Sequence, residues 1–186
     1  MSGTFQDINV PPTLISFACA NGEKKHVISP EFKKAGNKLY FFQHVPQETG
    51  LPDYENLKKV FGFIYENIKL QKIVSVKTVK EGGVAVALAK MSFGNKLGAD
   101  ISVDESFLLK KNIGSLIIES SSDLDCDVLE FIGDVKERAS LVINELDFRI
   151  SDLLKVWKGT FEELFPTVEK EKIVVEMDEK LNATKA

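Results

Sequence analysis

The stretch Lys80-Glu81-Gly82-Gly83 carries the residue types best suited to hold a ligand. It joins an alternating apolar run to an apolar, alanine-rich segment, so the two glycines fall at a strand-to-helix junction. Glycine there lets backbone approach a bound group, and the unpaired amides of a helix's first turn attract phosphate. The same pair also makes a tight turn that holds nothing, and Glu81 can set its own carboxylate against those amides. Gly82 and Gly83 are therefore the candidate phosphate contacts, with the plain turn as the competing reading. Asp123, Asp125 and Asp127 alternate as at the start of a calcium loop. Val128, however, stands where that loop needs glycine, and Asp134 where it needs glutamate. A solvated acidic turn fits them better. His26 and His44 are the only imidazoles, and neither pairs at catalytic spacing with a cysteine or serine. His44 sits in an apolar run and reads as a packed or edge residue, and Cys19 reads as a small hydrophobe in a buried strand. No catalytic residue and no metal ligand set emerges from the spacing.

The elements that position the Gly82-Gly83 turn follow from hydrophobic period and from breakers. Ile73 to Val79 (IVSVKTV) alternates as a strand. After the turn, VAVALAKMSF places Val84, Leu88 and Met91 on one helical face, and Gly94-Asn95 ends it. Upstream, residues 1–12 are polar, end in Pro11-Pro12 and read as an extended lead-in. Thr13 to Ala20 (TLISFACA) is apolar and partly β-branched, a buried strand closed by Asn21-Gly22. Residues 23–37 read as loop and Lys38 to Val45 as a second strand. Pro52-Asp53 opens a helix with Leu57, Val60, Phe61, Ile64 and Ile68 on one stripe. Strands follow at Ala99 to Val103 and Ser115 to Glu119, with two or three more between Val128 and Ile150. Ser151-Asp152 is the expected cap of a last helix carrying Leu153, Leu154, Trp157, Phe161 and Leu164, stopped by Pro166. Residues 168–186 are charge-rich, lack a period and read as a linker or tail.

Interleaved helices and strands with short β–β connections predict an α+β fold, a mixed β-sheet flanked by helices. Its core is expected on Leu14, Ile15, Phe17, Phe41, Phe61, Ile64, Val74, Val76, Leu88, Met91, Leu116, Ile118 and Trp157. With 44% hydrophobic and 28% charged residues the composition is that of an ordinary globular protein. A net charge of -4 gives no reason to expect nucleic acid or an anionic membrane as partner. No apolar run reaches the roughly 18 residues of a membrane span. Two distant cysteines read as reduced thiols, and a cytoplasmic location is expected.

INVPPTLISFACA (Ile8 to Ala20), NKLYFF (Asn37 to Phe42), EGGVAVALAKMSFGNKLGADI (Glu81 to Ile101) and WKGTFEELFPT (Trp157 to Thr167) together resemble one family. This is the large formylglycinamidine ribonucleotide synthases of clostridial type, in their second carboxy-terminal domain of AIR-synthase type. The third segment is the most diagnostic: Gly-Gly opens a helix that ends in Met-x-Phe-Gly-Asn-x-x-Gly. Met1-Ser2-Gly3 is similar to the end of a motif in the preceding nucleotide-binding domain. The resemblance implies an amidoligase of purine synthesis that converts formylglycinamide ribonucleotide to the amidine with ATP, magnesium and glutamine. It implies an AIR-synthase C-terminal-domain-like fold over 13–167, a preceding amino-terminal-type domain joined through 1–12, and a glutaminase domain beyond 168–186. Those two domains are the implied partners, and a weak homodimer is expected through apolar surface near Ile8 to Leu14.

The chain departs from the active pattern of that family. Where many relatives carry His-Asp-x-Ser-Asp-Gly-Gly, it has Lys77-Thr78-Val79-Lys80-Glu81-Gly82-Gly83, and where they often carry Glu-Glu-x-Gly it has Lys111-Asn112-Ile113-Gly114. The loss of those polar groups suits the degenerate half of such an enzyme. The chain by itself is expected to be inactive and to carry no cofactor. Another ATP-dependent enzyme of the AIR-synthase superfamily and a free-standing interaction module are the alternatives.

Overall fold

The computed structural model describes residues 3–166, so Met1-Ser2 and the segment read as linker or tail at 168–186 lie outside the described residues. In chain order the elements are β1 (Gly3–Phe5), β2 (Ile8–Val10), β3 (Lys38–Phe42), α1 (Tyr54–Lys69), β4 (Ile73–Thr78), α2 (Gly83–Phe93) and β5 (Gly98–Ile101). They continue as α3 (Glu105–Leu108), β6 (Leu116–Ser120), β7 (Leu129–Lys136), β8 (Ser140–Ile143), β9 (Leu146–Arg149) and α4 (Ile150–Gly159). β1 and β2 form a separate hairpin, and the other strands make one seven-stranded sheet in the order β4-β6-β3-β7-β5-β8-β9. Every pairing is antiparallel except β5 with β8. This is the mixed sheet flanked by helices that the pattern predicts.

The central strands explain their own composition. β3 and β6 are covered on both faces, which is why Leu39–Phe42 and Leu116–Ile118 are continuous apolar runs rather than alternating ones. Leu39, Phe41 and Ile117 pack with Val84, Leu88 and Met91 of α2, and Phe107 of α3 and Leu153 of α4 extend that layer. Tyr40, Phe42 and Ile118 pack on the opposite face with Val60 and Ile64 of α1. Full burial of side chains this large is worth about 1.5–3 kcal/mol each, so the fold rests on these two layers. α1 starts where the sequence says it does, with the Asp53 carboxylate accepting the Asn56 amide at 3.1 Å.

Five of the expected core residues are solvent-exposed: Leu14 (97%), Ile15 (64%), Phe17 (88%), Phe61 (46%) and Trp157 (54%). Thr13 to Ala20 is not a strand and pairs with nothing in the sheet, and Cys19 is exposed with it. Strand propensity needs an edge to add to and a layer to cover it, and neither edge of the sheet, β4 or β9, receives this segment. Phe61 follows Val60 by one residue, about 100° around the helix, and so turns off the buried stripe. Asn67 completes that face instead, buried with its side-chain amide on the Phe63 carbonyl at 2.9 Å.

Two boundaries also differ. The polar lead-in forms the β1–β2 hairpin rather than plain extended chain. α4 begins at Ile150 behind Arg149, with no side-chain cap; the expected cap residue Asp152 instead accepts Arg149 Nε at 2.9 Å. The helix ends at Gly159, short of Pro166, because Gly159-Thr160 pairs two weak helix formers, and Phe161–Phe165 continue only as turns.

Candidate functional site

The strand-to-helix turn is fixed by backbone geometry. Gly83 N–H donates to the Lys80 carbonyl at 3.1 Å, and Gly82 has φ 82° and ψ 7°, the third-residue geometry of a type II turn. A Cβ on Gly82 would lie 2.3 Å from Val86 Cγ2. Gly83 has φ 64°, and a Cβ there would lie 2.4 Å from the Leu108 carbonyl oxygen. Turn and packing alone thus require both glycines. Gly83 also forms part of the wall of a cavity of about 190 Å³, together with Lys77, Thr78, Lys80, Glu81, Val86, Ala87 and Lys90.

Three elements bring cations to that cavity. On β4, Lys77 is opposite Ile117 in the ladder and so shares the α2-facing side of the sheet. Lys80 comes from the turn. Lys90 comes from α2, on the helix face that runs through Gly83 and Ala87. Burial first, then the charges of Lys90 and Lys80, push the Lys77 amine below the ordinary lysine range. Among the described residues none of the three makes an ion pair. Glu81, the one acid in the wall, is drawn away to Lys111 at 2.5 Å, and that contact holds its carboxyl below the ordinary range. The arrangement is one of unneutralised positive charge around a small cavity, which suits an anion.

The sequence located the turn but missed the lysines. The usable signal was the alternation that puts Lys77 on the side of β4 facing the helix, joined to the helical spacing of Lys90 from Gly83. The remaining sequence candidates take structural places. His44 is buried; its Nε2 accepts the Asp53 amide at 3.1 Å and its Nδ1 lies 3.1 Å from the Ile113 carbonyl. It ties the start of α1 to the approach to β6. Asp123 pairs with Lys38, and Asp125 and Asp127 are exposed, as a solvated acidic turn should be. His26 is half-buried beside Glu23. Missed altogether was Glu119, fully buried on β6, where it accepts the Lys33 amide at 2.9 Å, the Lys34 amide at 3.2 Å and the Asn37 side-chain amide at 2.6 Å. A wider concavity of about 800 Å³ runs along α4; it is open and lined by Lys96, Arg149, Ile150, Leu154, Lys155 and Lys158 among others.

No protein-family model matches the chain. The phosphoribosylformylglycinamidine synthase subunit PurL of Staphylococcus epidermidis is 28% identical over 165 residues, covering 74% of this chain and 22% of its own length. The same subunit of Methanocaldococcus jannaschii is 26% identical over 184 residues, covering 88% of this chain and 25% of its own. PurLQS of Thermotoga maritima has the same fold over 71% of the chain, with a TM-score of 0.60 at 12% identity, and covers 28% of that chain's length. Thermotoga maritima PurL complexed with AMPPCP follows at 0.58 over 70% of the chain. The chain is thus similar in sequence to part of PurL and shares the fold of that part. It spans about a quarter or less of the length of these curated relatives. Both departures from the active pattern noted in the sequence meet in space, because Glu81 of the first is the partner of Lys111 of the second. No helix among the described residues is long and apolar enough to cross a membrane.

Proposed function

We propose that this PurL-related domain works within a phosphoribosylformylglycinamidine synthase, the ligase that makes formylglycinamidine ribonucleotide from the formylglycinamide, ATP and glutamine. Its part there is that of scaffold and degenerate half-site of the large, clostridial-like enzyme. The observation that carries the reading is the agreement of two independent likenesses, in sequence and in fold, on PurL. The degenerate role is supported by the site itself: lysines occupy the positions where the active pattern has His and Ser, and the wall's only carboxylate is tied up by Lys111. ATP and magnesium belong to the parent enzyme, and the chain alone holds at most a phosphate contact around the Gly82-Gly83 turn. Its partners are a preceding AIR-synthase amino-terminal-type domain and a following glutaminase domain. The exposed run Leu14, Ile15 and Phe17 supports a covered interface of that kind.

The test is genetic and enzymatic. The full reading frame that encodes the chain, placed in a purine auxotroph lacking the synthase, should restore growth without added purine, and the 186-residue chain should not. Growth restored by neither would sink the reading. ATP turnover by the purified chain, above that of a K77Q/K90Q variant, would refute its non-catalytic part.

A further inference from the structure

We propose that the cavity walled by Lys77, Lys80 and Lys90 binds a phosphate-type dianion free of magnesium, and that the lysine ammonium groups hold it rather than the Gly83 amide. The inference rests on the reading of this turn as ligand-facing and adds the residues, the ligand class and its charge state.

Three observations converge on it. The chain carries more acid than base, yet three ammonium groups share one cavity and, among the described residues, no carboxylate pairs with them. Where a lysine lies within reach of an acid here it is paired, as Lys25, Lys33, Lys38, Lys69, Lys111 and Lys136 are, but Glu81, the acid in this wall, is given to Lys111. Like charges left together in a partly desolvated site repel one another, and an anion removes that cost. The second observation is that the Gly83 amide is not free to bind. Gly83 N–H is already given to the Lys80 carbonyl, and backbone packing on Leu108 accounts for the residue. The third is size. A cavity of about 190 Å³ takes a phosphate or pyrophosphate group, whereas sites for whole drug-sized ligands start at about 300 Å³. Magnesium would oppose binding, because it takes oxygen ligands such as carboxylates and this wall meets it with three cations.

The purified full chain is titrated at constant ionic strength with inorganic phosphate, ribose 5-phosphate and pyrophosphate, followed by calorimetry and by NMR of the lysine side-chain nitrogens. One saturable site is expected, with Lys77, Lys80 and Lys90 signals moving together and chloride at equal ionic strength giving no such change. K77Q/K90Q should bind at least tenfold more weakly while circular dichroism stays that of the parent. If K77Q disturbs the sheet edge, K80Q/K90Q serves in its place, since both side chains are exposed. Saturating magnesium should weaken pyrophosphate binding. Equal binding of phosphate and ribose 5-phosphate assigns the site to the end of a phosphate monoester, and binding of phosphate alone assigns it to the free ion. Unchanged affinity in both variants, tighter binding with magnesium, or a response that chloride reproduces would overturn the proposal. Loss of binding would leave the synthase reading standing, because complementation by the full reading frame measures that separately.

Discussion

Gly82 and Gly83 are adjacent and both left-handed, but they are constrained by different neighbours, and this separates their substitutions. In G82A the new methyl meets Cγ2 and Cβ of Val86, and V86A removes the first but not the second, so the double variant should recover part of the loss. In G83A it meets the Leu108 backbone, which no side-chain change relieves, and the loss should be about 2 kcal/mol or more whatever stands at 86. Urea unfolding of the three variants checks this. Glu119 gives a second prediction. E119A leaves three amide donors without an acceptor in the core and should cost about 3 kcal/mol or more. Burial raises the Glu119 carboxyl above its ordinary 4.5, against the lowering effect of Asn37 and the Lys33 and Lys34 amides. The native state then binds that proton more tightly than the unfolded chain, so its contribution falls as pH rises from 4.5 through the native value. Stability of the wild type relative to E119Q should accordingly increase from pH 7 to pH 5. Glu31 runs the other way: Lys33, then Ser29, hold its carboxyl at about 2, so its contribution is present above 4.5 and lost as pH falls toward 2. E31Q should therefore cost stability at pH 5 and much less at pH 2. A trend of the reverse sign in either variant across its own window would show that assignment to be wrong.

At the scale of elements, the two helices flanking the central strands are built on different rules. α1 is an amphipathic helix with one buried stripe, so its apolar residues are not equivalent. I64A, under the sheet beside Tyr40 and Phe42, should cost about 2–4 kcal/mol, and F61A, on the open side, less than about 1 kcal/mol. Equal losses would mean that α1 packs in another rotation. α2 is apolar nearly all round and lies between the sheet, α3 and α4, with Ala85, Ala87 and Ala89 permitting the close approach. Its start is set by the left-handed turn rather than by a capping side chain, so the cavity at its amino end keeps room for the lysines. The β7 strand skips a residue against β3 between Leu39 and Tyr40, and the skip falls beside Gly133, where a Cβ would lie 1.8 Å from the Asp100 carbonyl. The bulge and the glycine together let β5 come alongside.

For the molecule as a whole, the most telling surface includes Leu14, Ile15 and Phe17, which the sequence assigned to the interior. Ile8, Val10, Leu14, Ile15 and Phe17 are all exposed along the first part of the described chain. Surface of this kind is covered in a working assembly, by a neighbouring domain or by a second copy. Sedimentation over a wide concentration range should show weak self-association of the chain, abolished in L14S/F17S without loss of sheet signal. Co-expression with a preceding AIR-synthase amino-terminal-type domain should raise its solubility. A chain monomeric at all concentrations, and indifferent to that domain, would favour a free-standing interaction module.

The sequence by itself determined the secondary elements between Lys38 and Met91, because local period, caps and turn chemistry act within a few residues. The Asp53 cap, the alternation of β4 and the Gly82-Gly83 turn all needed no distant partner to be legible. It also determined the class of fold, since short β–β connections beside crossing helices admit few arrangements. Only the tertiary structure decided which apolar runs found a layer to cover them. TLISFACA and LYFF are alike in composition, yet one lies in solvent and the other at the centre of seven strands, a difference made by hydrogen-bonding edges that no local pattern encodes. The same holds for charge: Lys77, Lys80 and Lys90 are scattered in the chain and unremarkable there, and become a site when α2 folds back over β4. Glu119 reads as one more polar residue after an apolar run, and its burial follows from a loop some 85 residues earlier in the chain closing over it.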